Sequence, residues 1–334
     1  MKKFTTGASA LALILAAGTA SAETVLTVSS WAGPNHSMNS KVFPRIGEIL
    51  SECSGGDMTV KVEFGLAPPP AQYDTVRDGV ADMTWIVHGY TPGKFVTTKL
   101  AELPGIPGNS EQISVAYQMT QEKFLAEAGE AKGVEVLTNF VHGPGLLNTV
   151  EPLEDGYKSI DGMKLRVGGG VANMIGTALG VAGVNVPAPA VYETIASGVA
   201  EGVFFPAETL FAFKTAELTK YSYANPDGMY TTSFGLLMNS DTYDGLSDAN
   251  RKCVDDMRGV DMARWVGQIW DEADAIGIEM ATKNNGLNII EMDADQRAYY
   301  AEKTAGIEAA VLEEVAATGV DGAAALEYLK SQIK

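Results

Sequence analysis

Residues 71–85 read AQYDTVRDGVADMTW, and residues 190–204 read AVYETIASGVAEGVF. Ala, Tyr, Thr, Gly, Val and Ala recur at matched positions; Asp is exchanged for Glu twice, Val for Ile and Trp for Phe. The lead-ins match as well, PPPA (68–71) against PAPA (187–190). In each copy Tyr, Val or Ile, and Val (Tyr73, Val76, Val80; Tyr192, Ile195, Val199) are spaced to share one helix face. Gly79 and Gly198 would end the helix and let the chain turn into a strand. Chance similarity between two amphipathic helices is the alternative, and the shared Pro-x-Pro-Ala lead-in argues for duplication.

The surroundings extend the match. TVLTVSS (24–30) reads as a strand, MNSKVFPRIGEILSECSGG (38–56) as a helix stopped by glycines, and MTVKVEF (58–64) as a second strand. The first copy then leads into a third strand, DMTWIVHGY. Around the second copy, GMKLRV (162–167), a GGG turn, VANMIGTALGVAG and VNVPAP repeat the same order, and EGVFFP repeats the third strand. Strands alternating with helices predict an α/β fold with mostly parallel sheets in two lobes. YTTSFGLLMNSDTY (230–243) reads as a crossover strand returning to the first lobe. Residues 248–284 read as one long helix, about 50 Å from end to end, capped by Ser247 or Asp248, stopped at Gly286, and bridging the lobes. LNIIEM and two closing helices complete the chain. The division expected is 23–145 plus about 230–270 for one lobe, and 146–229 plus about 275–334 for the other.

Residues 1–22 lie outside this scheme. Lys2 and Lys3, the apolar run ASALALILAAGTA and small residues before Glu23 have the form of a cleavable secretory leader, which predicts export to the periplasm. Losing the two lysines takes the formal charge from −18 to −20. That charge argues against nucleic acid and anionic membranes as partners. Cys53 and Cys253 are open to pairing in an oxidising compartment or to separate burial as thiols. His36, His88 and His142 show no metal-ligand spacing, and no cofactor is expected. RVGGGVANMIG fails the dinucleotide pattern, because Asn173 stands where the third glycine belongs.

Ligands of open parallel sheets bind beyond the carboxyl ends of strands. Those ends carry Trp31 and His36; Trp85, His88 and Tyr90; His142 and Asn148 in a loop; Arg166; Phe204 and Phe205; and Tyr230. The set is aromatic with one strong cation. A guanidinium inside KLRV needs an anionic partner. Spacing alone leaves open whether Arg166 clamps a ligand carboxylate, forms an internal salt bridge or stands exposed at the strand end.

SIDGMKLRV, the helix after it and VPAPAVYETIASGVAEGVFFP resemble the solute-binding proteins of TRAP (tripartite ATP-independent periplasmic) transporters. The leader, the GVADMTW junction and the late helix extend the resemblance over the mature chain. It implies a two-lobed receptor, not an enzyme. Its lobes close over a small organic acid and deliver it to small and large membrane permease subunits driven by an ion gradient. It also implies that Arg166 binds the ligand carboxylate. Two departures bear on the ligand. Phe205 precedes Pro206 where members binding polar acids often carry Asn. Gly145, Leu146 and Leu147 occupy a loop where many place a second basic residue. A monocarboxylate with an aromatic or hydrophobic body, such as a benzoate-like acid, therefore fits better than a C4-dicarboxylate or a small keto or hydroxy acid. Phe204, Phe205, Trp31 and Trp85 would enclose the ring. His36, His88 or Asn148 would read a substituent, and amides near Gly168–Gly170 would add to the anion site. An exported α/β enzyme is the remaining alternative, for which no nucleophile–base pair or metal set is visible.

Overall fold

A computed structural model describes residues 23–334; the leader expected at 1–22 lies outside them. One sheet has the order Met58–Phe64 (β2), Thr24–Ser30 (β1), Met83–Val87 (β3), Ser233–Asn239 (β10) and Val134–Val141 (β4). The other runs Asn288–Glu291 (β11), Tyr221–Ala224 (β9), Leu146–Thr149 (β5), Gly202–Phe205 (β8), Lys164–Val167 (β6) and Ala182–Asn185 (β7). In the first, β1 lies parallel between β2 and β3; in the second, β6 lies parallel between β7 and β8. The duplicated text thus folds into the same three-stranded unit twice. Both sheets are mixed: β10 is antiparallel to β3 and β4, and β5 is antiparallel to β8 and β9, while β11 pairs in parallel with β9, so the second sheet stays mostly parallel.

The helices are Phe43–Ser54 (α1), Gln72–Arg77 (α2), Ser110–Thr120 (α3), Val171–Ala178 (α4), Val191–Ala196 (α5), Thr209–Ala212 (α6), Ser240–Gly245 (α7), Asp248–Met257 (α8), Val260–Asn285 (α9), Ala294–Thr304 (α10), Ile307–Ala316 (α11) and Gly322–Gln332 (α12). The repeated clause forms α2 and α5. Each is followed by a glycine at φ 71° (Gly79, Gly198), and the next amide reaches back five residues: Val80 N to Thr75 O at 2.9 Å, Val199 N to Thr194 O at 3.0 Å. This is the glycine-capped helix end. It also turns Val80 and Val199 out of the apolar stripe, leaving them 63% and 51% exposed, contrary to the expected third core position.

The exchange of Asp for Glu has a shared purpose. Asp82 donates its amide to Thr27 O (2.9 Å), and its carboxylate accepts from Thr27 N (2.7 Å). Glu201 repeats this on Lys164, at 2.7 and 2.9 Å. Each acid therefore clamps the central strand of its unit with a charge-assisted hydrogen bond.

The helix expected over 248–284 is two helices. Gly259, at φ 91°, separates α8 from α9; its amide donates to Leu137 O (2.7 Å), and its carbonyl accepts from the Thr138 hydroxyl (3.0 Å). Strand β4 thus satisfies the broken ladder. The α9 segment of 26 residues is about 39 Å long at 1.5 Å per residue. It packs closely at two glycines. A Cβ on Gly267 would come within 2.5 Å of the Glu111 backbone in α3, and one on Gly277 within 2.1 Å of Ala207 O beyond β8. Asp271 fixes the first contact by accepting the Ser110 and Glu111 amides at the start of α3 (2.8 and 3.1 Å). Three helices, not two, then close the chain, and α11 and α12 return to pack in one apolar cluster with Leu100, Ile113, Tyr117 and Val171.

Cys53, near the end of α1, is bonded to Cys253 of α8, with Cα atoms 5.8 Å apart. The bond spans a sequence separation of 200 residues, so it restricts the unfolded chain strongly, and a bridge of this kind stabilises by about 2–4 kcal/mol. Cys53→Ser/Cys253→Ser is expected to lower Tm by roughly 5 °C, as is reductant on the wild type, checked by differential scanning fluorimetry. An unchanged Tm in both would remove the bridge as a stabilising element.

Candidate functional site

Between the carboxyl ends of β1, β3, β6 and β8 lies a cavity. Its walls include Trp31, His36, Trp85, Tyr90, His142, Arg166, Phe205, Glu208, Phe213, Tyr230, Phe234 and Trp270. Both sheets contribute. The position follows from the duplicated topology, which points the strand ends of both units at one another.

Arg166 is 2% exposed. Its Nε donates to Val186 O (3.0 Å), one terminal nitrogen to Phe204 O (3.4 Å) and the other to the Tyr90 hydroxyl (3.0 Å); its guanidinium carbon lies 4.4 Å from the centre of the Phe205 ring. Among the described residues no carboxylate lies within 4.0 Å of it, so an internal salt bridge is not its partner. A guanidinium has five N–H groups in a planar fork. Three are used, leaving one on each terminal nitrogen, which is the pair that grips a carboxylate bidentately.

Tyr90 completes this end. Its oxygen accepts from Arg166 and from the Ala188 amide (2.9 Å). Its own proton is thereby left to donate elsewhere. Tyr90 follows β3 in the first sheet, whereas Arg166 lies in β6 of the second and Ala188 follows β7 of the second, so the hydroxyl joins the halves. Close by, the Gly89 and Gly169 backbones touch: a Cβ on Gly169 would lie 1.8 Å from Gly89 O.

The aromatic wall is layered. Trp31 stacks on Trp85 at 4.0 Å, held by its indole N–H on Trp85 O (3.1 Å). The Trp85 indole in turn donates to Ser30 Oγ (3.2 Å). Phe213 lies 6.5 Å from Trp31 and 5.8 Å from Phe205. Tyr230 stands edge-on to His142 (5.5 Å), and Gly145 permits this, since a Cβ there would sit 2.1 Å from the Tyr230 ring. Gly145 is therefore a support of the wall rather than part of it. Burial holds the Tyr230 hydroxyl above its usual pKa. His142 Nδ1 donates to Gly143 O, and burial lowers the ring's pKa to about 4. It is a neutral imidazole at physiological pH, with Nε2 free to accept.

Several expected contacts fall elsewhere. His88 is outside the cavity, bonded to the Ser233 hydroxyl (3.1 Å) and packed on Phe95, with its pKa lowered to about 3 by burial. Asn148 lies in β5, not in a loop, and reaches only Phe205 O (3.5 Å). Phe204, by contrast, does line the cavity: its carbonyl accepts from Arg166, while its ring packs in the apolar cluster with Val167 and Ile175. The amide at the start of α4 is not open to a ligand either. Buried Glu102 accepts from Val171 N (2.9 Å) and from Ser233 N and Oγ (2.9 and 2.7 Å). The chain thus supplies its own anion to that helix end, and burial raises the Glu102 pKa.

The sequence matches the family described as bacterial extracellular solute-binding protein, family 7, over residues 28–314. A TRAP periplasmic solute-binding protein from Bordetella bronchiseptica, solved with (R)- and (S)-mandelate, is 33% identical, with a TM-score of 0.89 over 93% of this chain and 98% of that one. A marine metagenome TRAP protein described as specific for aromatic acid ligands, solved with 3-hydroxybenzoate, is 32% identical, with a TM-score of 0.88 over 94% and 98%. One from Rhodoferax ferrireducens, solved with copurified benzoate, is 27% identical, with a TM-score of 0.87 over 93% and 97%. A protein named outer membrane transporter protein TsaT, from Comamonas testosteroni, is 26% identical over 92% of this chain and 91% of its own length. Matched along most of its length in sequence and fold, this chain belongs to the family 7 extracellular solute-binding proteins, the TRAP-type receptors.

Proposed function

We propose that this protein captures a small aromatic monocarboxylate outside the cytoplasm and delivers it to a TRAP permease of one small and one large membrane subunit. The observation that carries the ligand class is the free fork of Arg166 beside the Phe205 ring, in a cavity whose wall is rich in aromatic side chains. A carboxylate on that fork gains two charge-assisted hydrogen bonds, and the Tyr90 hydroxyl offers a third. The remaining wall rewards burial of a ring. The cavity also holds the buried carboxylate of Glu208, so a second ligand carboxylate would meet like charge without a cation to offset it. This disfavours C4-dicarboxylates. The structures solved with mandelate, 3-hydroxybenzoate and benzoate support the same class.

On this reading residues 1–22 direct export to the periplasm and are removed. The lobes are 23–145 with about 230–270 and 146–229 with about 275–334. The ligand draws them together at Tyr90, Gly89 and Gly169, while α9 spans both. Among the described residues no helix is long and apolar enough to cross a membrane, which fits a receptor that meets its permease by docking.

A panel of organic acids in differential scanning fluorimetry, followed by calorimetry, tests the reading. A ligand at 100 times its Kd is expected to stabilise by about 2.7 kcal/mol. Benzoate-, phenylacetate- or mandelate-type acids should raise Tm, and succinate should not. A shift with succinate and none with any aromatic acid would overturn it.

A further inference from the structure

On the cavity wall that carries Glu208, the polar groups have a pattern that a plain hydrocarbon ring does not satisfy. Glu208 is 3% exposed and lines the cavity, and its Oε2 is buried without a hydrogen-bond partner. His36, 2% exposed, faces it with Nε2 at 3.7 Å, too long for a hydrogen bond. The His36 Nδ1 accepts from the Met38 amide (3.2 Å), which puts the ring proton on Nε2, on the Glu208 side. The indole N–H of Trp270, whose ring centre is 5.5 Å from that of His36, is also buried and unpartnered. One acceptor and one donor thus face each other, and a second buried donor lies in the same cavity wall. Among the described residues no nitrogen of Arg166 lies within 4.0 Å of the Glu208 carboxylate, so the two do not form an ion pair.

Resting on the proposed function, we infer that Glu208, with His36 and Trp270, is a hydroxyl-reading subsite, and that the physiological ligand is a hydroxylated aromatic monocarboxylate. A hydroxyl donates one hydrogen bond and accepts two, which matches the set: its proton goes to Glu208 Oε2, and its lone pairs receive the N–H groups of His36 and Trp270. An ammonium group would suit Glu208 but would point its own protons at two further donors. A second carboxylate would face Glu208. An unsubstituted ring would leave all three groups buried and unpaired, the condition under which sites built for a hydroxyl discriminate most strongly.

Calorimetry on the mature protein decides it, with benzoate and phenylacetate, their 2-, 3- and 4-hydroxy isomers and their amino analogues. At least one hydroxy isomer is expected to bind ten-fold or more tighter than its parent acid and its amino analogue. Glu208→Met should erase that preference, so that the hydroxy isomer and its parent acid bind with equal affinity. His36→Gln, which keeps a donor, should retain most of it. Equal affinities for hydroxy and parent acids in the wild type, or a preference that survives Glu208→Met, would overturn the subsite while leaving the aromatic-acid reading intact. Tighter binding of the amino analogues, whose neutral aryl NH2 donates two hydrogen bonds, would overturn the hydroxyl and assign the subsite to a donor group instead. Failure of every aromatic acid to bind would end both readings.

Discussion

Arg166→Ala is expected to reduce affinity for the bound acid by about 10²–10⁴-fold, the equivalent of two charge-assisted hydrogen bonds of about 1.5–3 kcal/mol each. The loss should come through the ligand and not through the fold. Arg166 meets no internal acid, only the carbonyls of Val186 and Phe204 and the Tyr90 hydroxyl. Its removal leaves those acceptors in a cavity that water can enter on ligand release. The ligand-free Tm should therefore stay within a few degrees of wild type, while the ligand-induced rise disappears. Arg166→Lys should recover little, because a point charge cannot reproduce a planar fork. Calorimetry and scanning fluorimetry on the same samples read both effects. Wild-type affinity in either variant would remove the arginine from the site.

The second large effect is expected from Gly169→Val, at the place where the halves touch. No side chain fits there, since even a Cβ would lie 1.8 Å from Gly89 O and 2.5 Å from its carbonyl carbon. Backbone cannot swing aside as a side chain can, so the closed arrangement should be blocked while each half keeps its own packing. When only a small fraction of molecules can close, apparent affinity falls by that fraction, here on the order of 10–100-fold. Gly89→Ala should act alike, because its Cβ would meet Gly170 N at 2.7 Å. Small-angle scattering with and without ligand should show wild type contracting and both variants failing to. Normal affinity and normal contraction in the variants would show that this contact does not belong to the ligand-bound state.

Both effects depend on features that differ in how far they could be read from the chain. The duplicated units were legible because their signals are local. Pro-x-Pro-Ala, a helix face and a glycine cap lie within fifteen residues of one another, and both copies fold alike down to the Asp82 and Glu201 clamps. Ser247, expected as a cap, accepts the Asn250 amide at 3.2 Å, and Gly286 ends α9 at φ 67°. The break at Gly259 was hidden because the apolar spacing of α8 and α9 runs on across it. What decides the break is a pair of hydrogen bonds to Leu137 and Thr138, over 120 residues away in sequence. Strand β5 reads as a loop in the sequence because its four residues, including Asn148, are too few to display alternation.

The site was legible at its cation and its first aromatic layer, since Arg166, Trp31, Trp85 and Phe205 sit at the ends of recognisable strands. Glu208, Phe213 and Trp270 were not found. Glu208 and Phe213 flank a four-residue helix, and Trp270 is one of many apolar residues on a long one, so nothing local distinguishes them from ordinary surface and core. The occupation of the α4 start by Glu102 was also beyond reach, because the acid lies 69 residues from Val171 and reads as part of an unremarkable polar turn. His88 belonged to the same strand-end pattern as Tyr90, but it turns to Ser233 and Phe95 while Tyr90 turns to Arg166. Strand ends specify which residues are near a cleft; the rotation of each side chain is set by partners from the other sheet.

A crystal structure of the mature protein grown with a hydroxybenzoate or mandelate tests the central claim most directly. The account requires the ligand carboxylate on both terminal nitrogens of Arg166, at the usual distance of about 2.7–2.9 Å, with the ring against Phe205 and the Trp31–Trp85 stack. A bound acid whose carboxylate contacts other groups, with the guanidinium still held only by Val186, Phe204 and Tyr90, would contradict it.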